Sequence, residues 1–176
     1  MTEKVIIAGS GGQGVMLLGK VLAEAAMREN KFVTWLPAYG AEVRGGTAHC
    51  SVIISDTEIG SPFIDKADTL IILNAPSLGR FKERVVSKGL LITNSSMAPR
   101  HANPKLQLMH YPFTDIAIGL GNIKVANMVA LGNYLAKKKT VNLKTVLGVF
   151  QDMAPAGKKE LIEINTKALQ EGMGLK

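Results

Sequence analysis

Residues 5–8, Val-Ile-Ile-Ala, form an apolar run too short for a helix, and the glycine cluster GSGGQG follows at once over 9–14. Beyond it, Val15, Leu18, Val21, Leu22 and Ala25 recur at helical spacing as far as Arg28. A buried strand, a tight turn and an amphipathic helix therefore open the chain. Alternation of the same kind continues. Strands are expected at 32–36, 47–55, 69–73, 90–93 and, more weakly, 106–111. Helices are expected at 77–86, 122–137, about 143–153 and 158–171, the last two separated by Pro155 and Gly157. Strands alternating with helices call for an α/β fold, a mainly parallel sheet with helices on both faces in a Rossmann-like single domain spanning residues 1–176. The block 97–104, MAPRHANP, reads as a surface loop.

Gly9, Gly11 and Gly14 satisfy G-x-G-x-x-G in the required setting, after a strand and at a helix start. Glycines there let backbone approach a pyrophosphate lying on the helix N-terminus. A dinucleotide site of this type also wants an acid about 20 residues on, at the end of the second strand. Thr34, Trp35, Leu36 and Pro37 occupy that place, and Glu42 comes too late. Gly14, Gly19 and Lys20 mimic a phosphate loop, but Val21 stands where a hydroxyl must reach magnesium. Two readings of residues 9–14 stay open: a tight turn that needs glycine for packing and positive φ, and an anion-binding helix start. Gly9, Ser10, Gly11, Gly12, Gln13 and Gly14 are the candidate anion loop, with the Gln13 amide able both to donate and to accept.

The connection from 36 to 55, LPAYGAEVRGGTAHCSVIIS, sets Tyr39, Glu42 and Arg44 among Gly40, Gly45 and Gly46. An aromatic, an anion and a cation on a flexible frame suit an interface; a surface loop with a local Glu42–Arg44 pair is the plainer alternative. Cys50, the chain's one cysteine, lies on an apolar strand and reads as a buried, inert thiol. His49 beside it points to the other strand face, so the two do not form a nucleophile–base pair. His101 and His110 have no partner at ligand spacing, so no metal site is expected.

The formal charge of +7 raises nucleic acid as a partner, but the basic residues are dispersed and only 5% of residues are aromatic. The dense run Lys137–Lys139 falls at a helix end, where cations meet the negative end of the dipole. No apolar run approaches the roughly 18 residues of a membrane span. A cytoplasmic protein that binds neither nucleic acid nor membrane is expected.

Taken together, GSGGQGV, LPAYGAEVRGGTA, CSVIIS, IGSP (59–62) and NMVALG (127–132) resemble the gamma subunit of 2-oxoacid:ferredoxin oxidoreductases, in order, from about residue 4 to 150. The loop YGAEVRGGTA resembles the 2-oxoglutarate and branched-chain types more than the pyruvate type, and 2-oxoglutarate is preferred. The resemblance implies an enzyme that decarboxylates a 2-oxoacid on thiamine diphosphate with Mg²⁺. It passes electrons through iron–sulfur clusters to ferredoxin and releases an acyl-CoA. Thiamine and clusters would belong to alpha and beta subunits (and delta, where present), since this chain lacks a G-D-G signature and the sets of four cysteines that clusters need. The chain would hold no cofactor and no catalytic residue by itself. Its glycine loop is a candidate for CoA. Tyr39, Glu42, Arg44, Gly45, Gly46 and Asn127 would face the other subunits. The alternatives are the gamma subunit of a branched-chain or pyruvate enzyme, and a free-standing nucleotide-binding enzyme.

Overall fold

The computed structural model describes residues 1–38, 46–153 and 159–175. Six strands form one sheet in the order β2-β3-β1-β4-β5-β6: β1 (Thr2–Ser10), β2 (Phe32–Ala38), β3 (Thr47–Ser55), β4 (Ala67–Ile72), β5 (Val85–Asn94) and β6 (Gln107–Tyr111). β1, β4, β5 and β6 pair in parallel, whereas β3 runs antiparallel to both of its neighbours, β1 and β2. The sheet is thus mainly parallel, with one reversed strand wedged between β1 and β2.

Residue alternation sorts the core into two layers. Val5 and Ile7 of β1, Cys50, Val52 and Ile54 of β3 and Ile71 of β4 face a layer containing α1 (Val15–Arg28), α3 (Phe113–Gly119), α4 (Ala126–Lys138), α5 (Leu143–Met153) and α6 (Lys159–Gly174). Ile6, Ala8, Ile53, Leu70 and Ile72 face the other way, toward Leu78 and Phe81 of α2 (Ala75–Phe81). Helices therefore cover both faces, as expected, but among the described residues five lie on one and a single short one on the other. Glu3 is nearly buried and accepts from Thr69 Oγ1 at 2.6 Å and Lys138 Nζ at 3.1 Å. One lysine of the basic run thereby ties the end of α4 to the first strand.

The helix expected at 77–86 is shorter than its pattern implied. α2 stops at Phe81, a 3₁₀ turn covers Lys82–Arg84, and Val85 already belongs to β5. Gly79 weakens the helix, and the β-branched pair Val85–Val86 favours extended backbone. Lys88 at φ 65° marks the bulge by which β5 shifts register against β4. α3 is an element beyond those expected from the sequence pattern. Phe113, Ile116, Ala117 and Leu120 carry its helical spacing, and Phe113 and Ala117 are fully buried.

The closest helix contact joins α4 to α6. A Cβ on Gly132 would strike the Leu169 carbonyl oxygen, and one on Gly172 the Val129 carbonyl oxygen. Asn133 Nδ2 donates to the Gly172 carbonyl at 3.4 Å across the same contact. Gly132 thus serves close helix packing. Substituting Gly132→Ala is expected to destabilise the fold by about 2 kcal/mol or more, as overpacking against backbone does. Gly79→Ala, in an open helical position, should stabilise it by about 0.5–1 kcal/mol. Urea unfolding of the two variants beside the parent measures both.

Candidate functional site

The chain leaves β1 through α1 toward β2 and leaves β4 through α2 toward β5, so its connections diverge between these two adjacent parallel strands. Ligands in open α/β sheets bind at such a divergence, beyond the carboxyl ends of the strands. Here a cleft of about 210 Å³ opens at that point, lined in part by Ser10, Gly12, Gln13, Asn94, Thr114 and Lys124.

The glycine turn forms one wall. Gly12 and Gly14 stand at φ 92° and 71°, a region costly for any residue bearing a Cβ. A Cβ on Gly9 would lie 2.7 Å from Gln13 Oε1 and 3.1 Å from Leu73 Cβ. Gln13 folds back over the turn. Its Oε1 accepts from Ser10 N at 2.7 Å and Ser10 Oγ at 3.1 Å, and its Nε2 donates to the Leu73 carbonyl at 3.2 Å. Both ends of the amide are therefore used within the chain. Gly11 N donates to the Gly46 carbonyl at 3.4 Å, bringing the turn against the entry to β3.

Two further amides complete the strand ends. Asn74 Nδ2 donates to Ser10 Oγ at 2.8 Å, and its Oδ1 caps α2 through Ser77 N at 3.1 Å. Asn94 Nδ2 donates to the Leu73 carbonyl at 3.1 Å and Thr114 Oγ1 at 2.8 Å. A further part of the lining comes from Ile123, Lys124 and Ala126. Among the described residues, Lys124 is the one charged residue on the lining, and no carboxylate joins it there. The glycine turn leads directly into the N-terminus of α1, whose dipole, like the Lys124 cation, favours an anion nearby.

Of the candidate loop, Ser10, Gly12 and Gln13 line the cleft, whereas Gly9 and Gly14 shape the turn and Gly11 braces it. Tyr39, Glu42, Arg44 and Gly45 lie outside the described residues. Asn127, expected to face another subunit, is 2% exposed and turns inward, its Nδ2 donating to the Gly14 carbonyl at 3.1 Å. Asn94, Thr114 and Lys124 were missed. A polar Thr93-Asn94 pair closing an apolar strand was the available signal for Asn94; Lys124 looks in sequence like any solvated lysine.

β3 also explains why the second strand bears no ribose-binding acid. It stands between β1 and β2, so the end of β2 lies two strand spacings, roughly 10 Å, from the glycine turn. An acid there would not reach a ligand on that turn.

Cys50 is fully buried, and its Sγ donates to the Val15 carbonyl at 3.6 Å. Burial pushes its thiol up to about 12, leaving a neutral, inert group. Such a cysteine does not fit an iron–sulfur cluster, and among the described residues no three His, Cys, Asp or Glu side chains gather as metal ligands. His49 lies on the other face, its ring 4.8 Å from that of Phe81. Burial, then Arg80 and Arg84, lower its pKa. His110 Nδ1 bonds Thr93 Oγ1 at 2.7 Å, and burial, then Arg100, lower its pKa as well. No helix among the described residues is long and apolar enough to cross a membrane.

Residues 4–175 match the model of the pyruvate ferredoxin/flavodoxin oxidoreductase family. The chain belongs to that family. Subunit VorA of ketoisovalerate oxidoreductase from Methanothermobacter thermautotrophicus is 38% identical over 169 residues, covering 96% of this chain and 35% of that protein. The chain thus spans about a third of the length of this relative. Subunit KorC of 2-oxoglutarate synthase from Methanocaldococcus jannaschii is 30% identical over 164 residues, covering 91% of this chain and 88% of that one. The crystal structure of the keto/oxoacid ferredoxin oxidoreductase gamma subunit from Geobacter sulfurreducens superposes with a TM-score of 0.83 at 27% identity, over 97% of this chain and 96% of that chain.

Two outcomes follow from the site geometry. Gly14→Ala combines positive φ with a collision against the Asn127 amide, and should cost about 2 kcal/mol or more in urea unfolding. Because folding lowers the pKa of His49, the unfolded chain takes up the proton first as pH falls. Stability is then full above the unfolded value near 6.5 and is lost as pH drops through the folded one. Unfolding midpoints measured from about pH 7.5 to 5 should decline, and His49→Phe should flatten part of that decline, leaving the share of His110.

Proposed function

We propose that this chain is the gamma subunit of a 2-oxoacid:ferredoxin oxidoreductase that converts a 2-oxoacid and CoA to an acyl-CoA and CO₂, with electrons passed to ferredoxin. The observation that carries this reading is the end-to-end likeness, over 97% of the chain, to a gamma subunit of the same size. The chain catalyses nothing alone. It assembles with alpha and beta subunits, with delta where present, and those bear the thiamine diphosphate, Mg²⁺ and clusters.

Its own contribution is to CoA. The glycine turn, with Ser10, Gly12 and Gln13, shares with Lys124 a cleft on whose lining no carboxylate stands among the described residues, which suits a pyrophosphate. A cleft of about 210 Å³ seats one segment of such a ligand rather than the whole. Tyr39, Glu42, Arg44, Gly45 and Gly46 remain the segment assigned to contact with the other subunits.

The loop at 36–55 supports 2-oxoglutarate as the substrate, giving succinyl-CoA. A branched-chain 2-oxoacid is the second reading, favoured by the 38% identity to a ketoisovalerate enzyme. Purification of tagged chain from its native cells, followed by viologen reduction with each oxoacid, separates them. Turnover by the co-purified assembly, absent from the chain alone and fastest with 2-oxoglutarate, is the expected result. Preference for 2-ketoisovalerate or pyruvate would move the substrate, and a lone chain carrying a nucleotide would overturn the subunit reading.

A further inference from the structure

The chain segment that brings Lys124 to the lining also reaches the glycine turn. Ile123, Lys124 and Ala126 line part of the cleft. Asn127, in the first turn of α4, extends from the same segment and donates from Nδ2 to the Gly14 carbonyl at 3.1 Å, across 113 residues of sequence. That carbonyl also accepts the first helical bond of α1, from Leu18 N at 2.9 Å. Both of its lone pairs are thereby occupied. Gly14 holds φ 71° and ψ 23° at this point, and its missing Cβ leaves the space that the Asn127 amide fills. Asn127 is 2% exposed, so water offers its amide little alternative. It is not among the residues lining the cleft.

We infer that Asn127 is a positioning residue for CoA. It touches no ligand. Its bond joins the segment bearing Lys124 to the glycine turn that supplies Ser10, Gly12 and Gln13, and so fixes the distance between these two parts of the cleft lining. This inference rests on the proposal that the glycine turn and Lys124 bind CoA. An aspartate at 127 keeps the size of the side chain but removes the donor, setting a carboxylate oxygen against the Gly14 carbonyl. These two parts would then separate, and small displacements at such sites are costly.

The test uses the assembled complex, reconstituted with its thiamine- and cluster-bearing subunits. KM for CoA, KM for the oxoacid and kcat are measured in the parent, Asn127→Asp and Lys124→Ala. Asn127→Asp is expected to raise KM for CoA roughly tenfold or more, with kcat and the oxoacid KM within about twofold of the parent. A residue that only props up the fold would lower the yield of complex and its unfolding temperature, leaving KM for CoA unchanged in what assembles. An unchanged KM for CoA in Asn127→Asp, with a raised one in Lys124→Ala, therefore overturns the positioning role and leaves the CoA site standing. Parent-like KM for CoA in both overturns the CoA site and, with it, the inference. Should Asn127→Asp fail to assemble, Asn127→Ser, small and neutral, is read by the same criteria.

Discussion

One carbonyl oxygen, that of Leu73 at the end of β4, organises the carboxyl edge of this sheet. It receives Gln13 from the glycine turn and Asn94 from the end of β5. Parallel strands that end where their connections diverge leave backbone groups without ladder partners, and buried groups of that kind need bonds. Side-chain amides supply them here. An amide donates and accepts at once, so Gln13, Asn74 and Asn94 each join two elements without burying a charge. The result is a polar edge that is held firmly yet remains open between its walls.

Much of this was legible in order of range. The glycine turn and the strands at 5–8, 47–55 and 69–73 came directly from local pattern, because burial on both faces of a parallel sheet demands continuous apolar runs. Ends of elements were less legible. α2 stops at Phe81 because the extended preference of Val85–Val86 competes with helical spacing. α3 was not legible because its four apolar positions span only two turns. Nothing local announced that Asn127 would bond Gly14, since contacts across such separations are created by topology alone. A conspicuous asparagine in a motif reads equally well as an interface residue or as an internal strut, and the structure places it inside.

The insertion of β3 separates two properties that a dinucleotide fold usually combines. The turn after β1 keeps its glycines, its positive φ angles and its helix dipole, while the strand that would carry the sugar-reading acid is moved one place outward. What remains is the glycine turn at a helix start, without a nucleoside-reading acid on the neighbouring strand. The chain thus retains the turn of the dinucleotide fold while its sequence abandons the rest.

Cys50 lies under α1, against Val15 and beside Trp35, at the seam between the helix and the reversed strand. With its proton held at neutral pH and its sulfur sealed from solvent, it stays silent to thiol reagents while the seam is shut. As the only sulfhydryl in the chain, it is a built-in clock. The rate at which it becomes alkylated reports how often the first helix lifts from the sheet, without any label having been introduced.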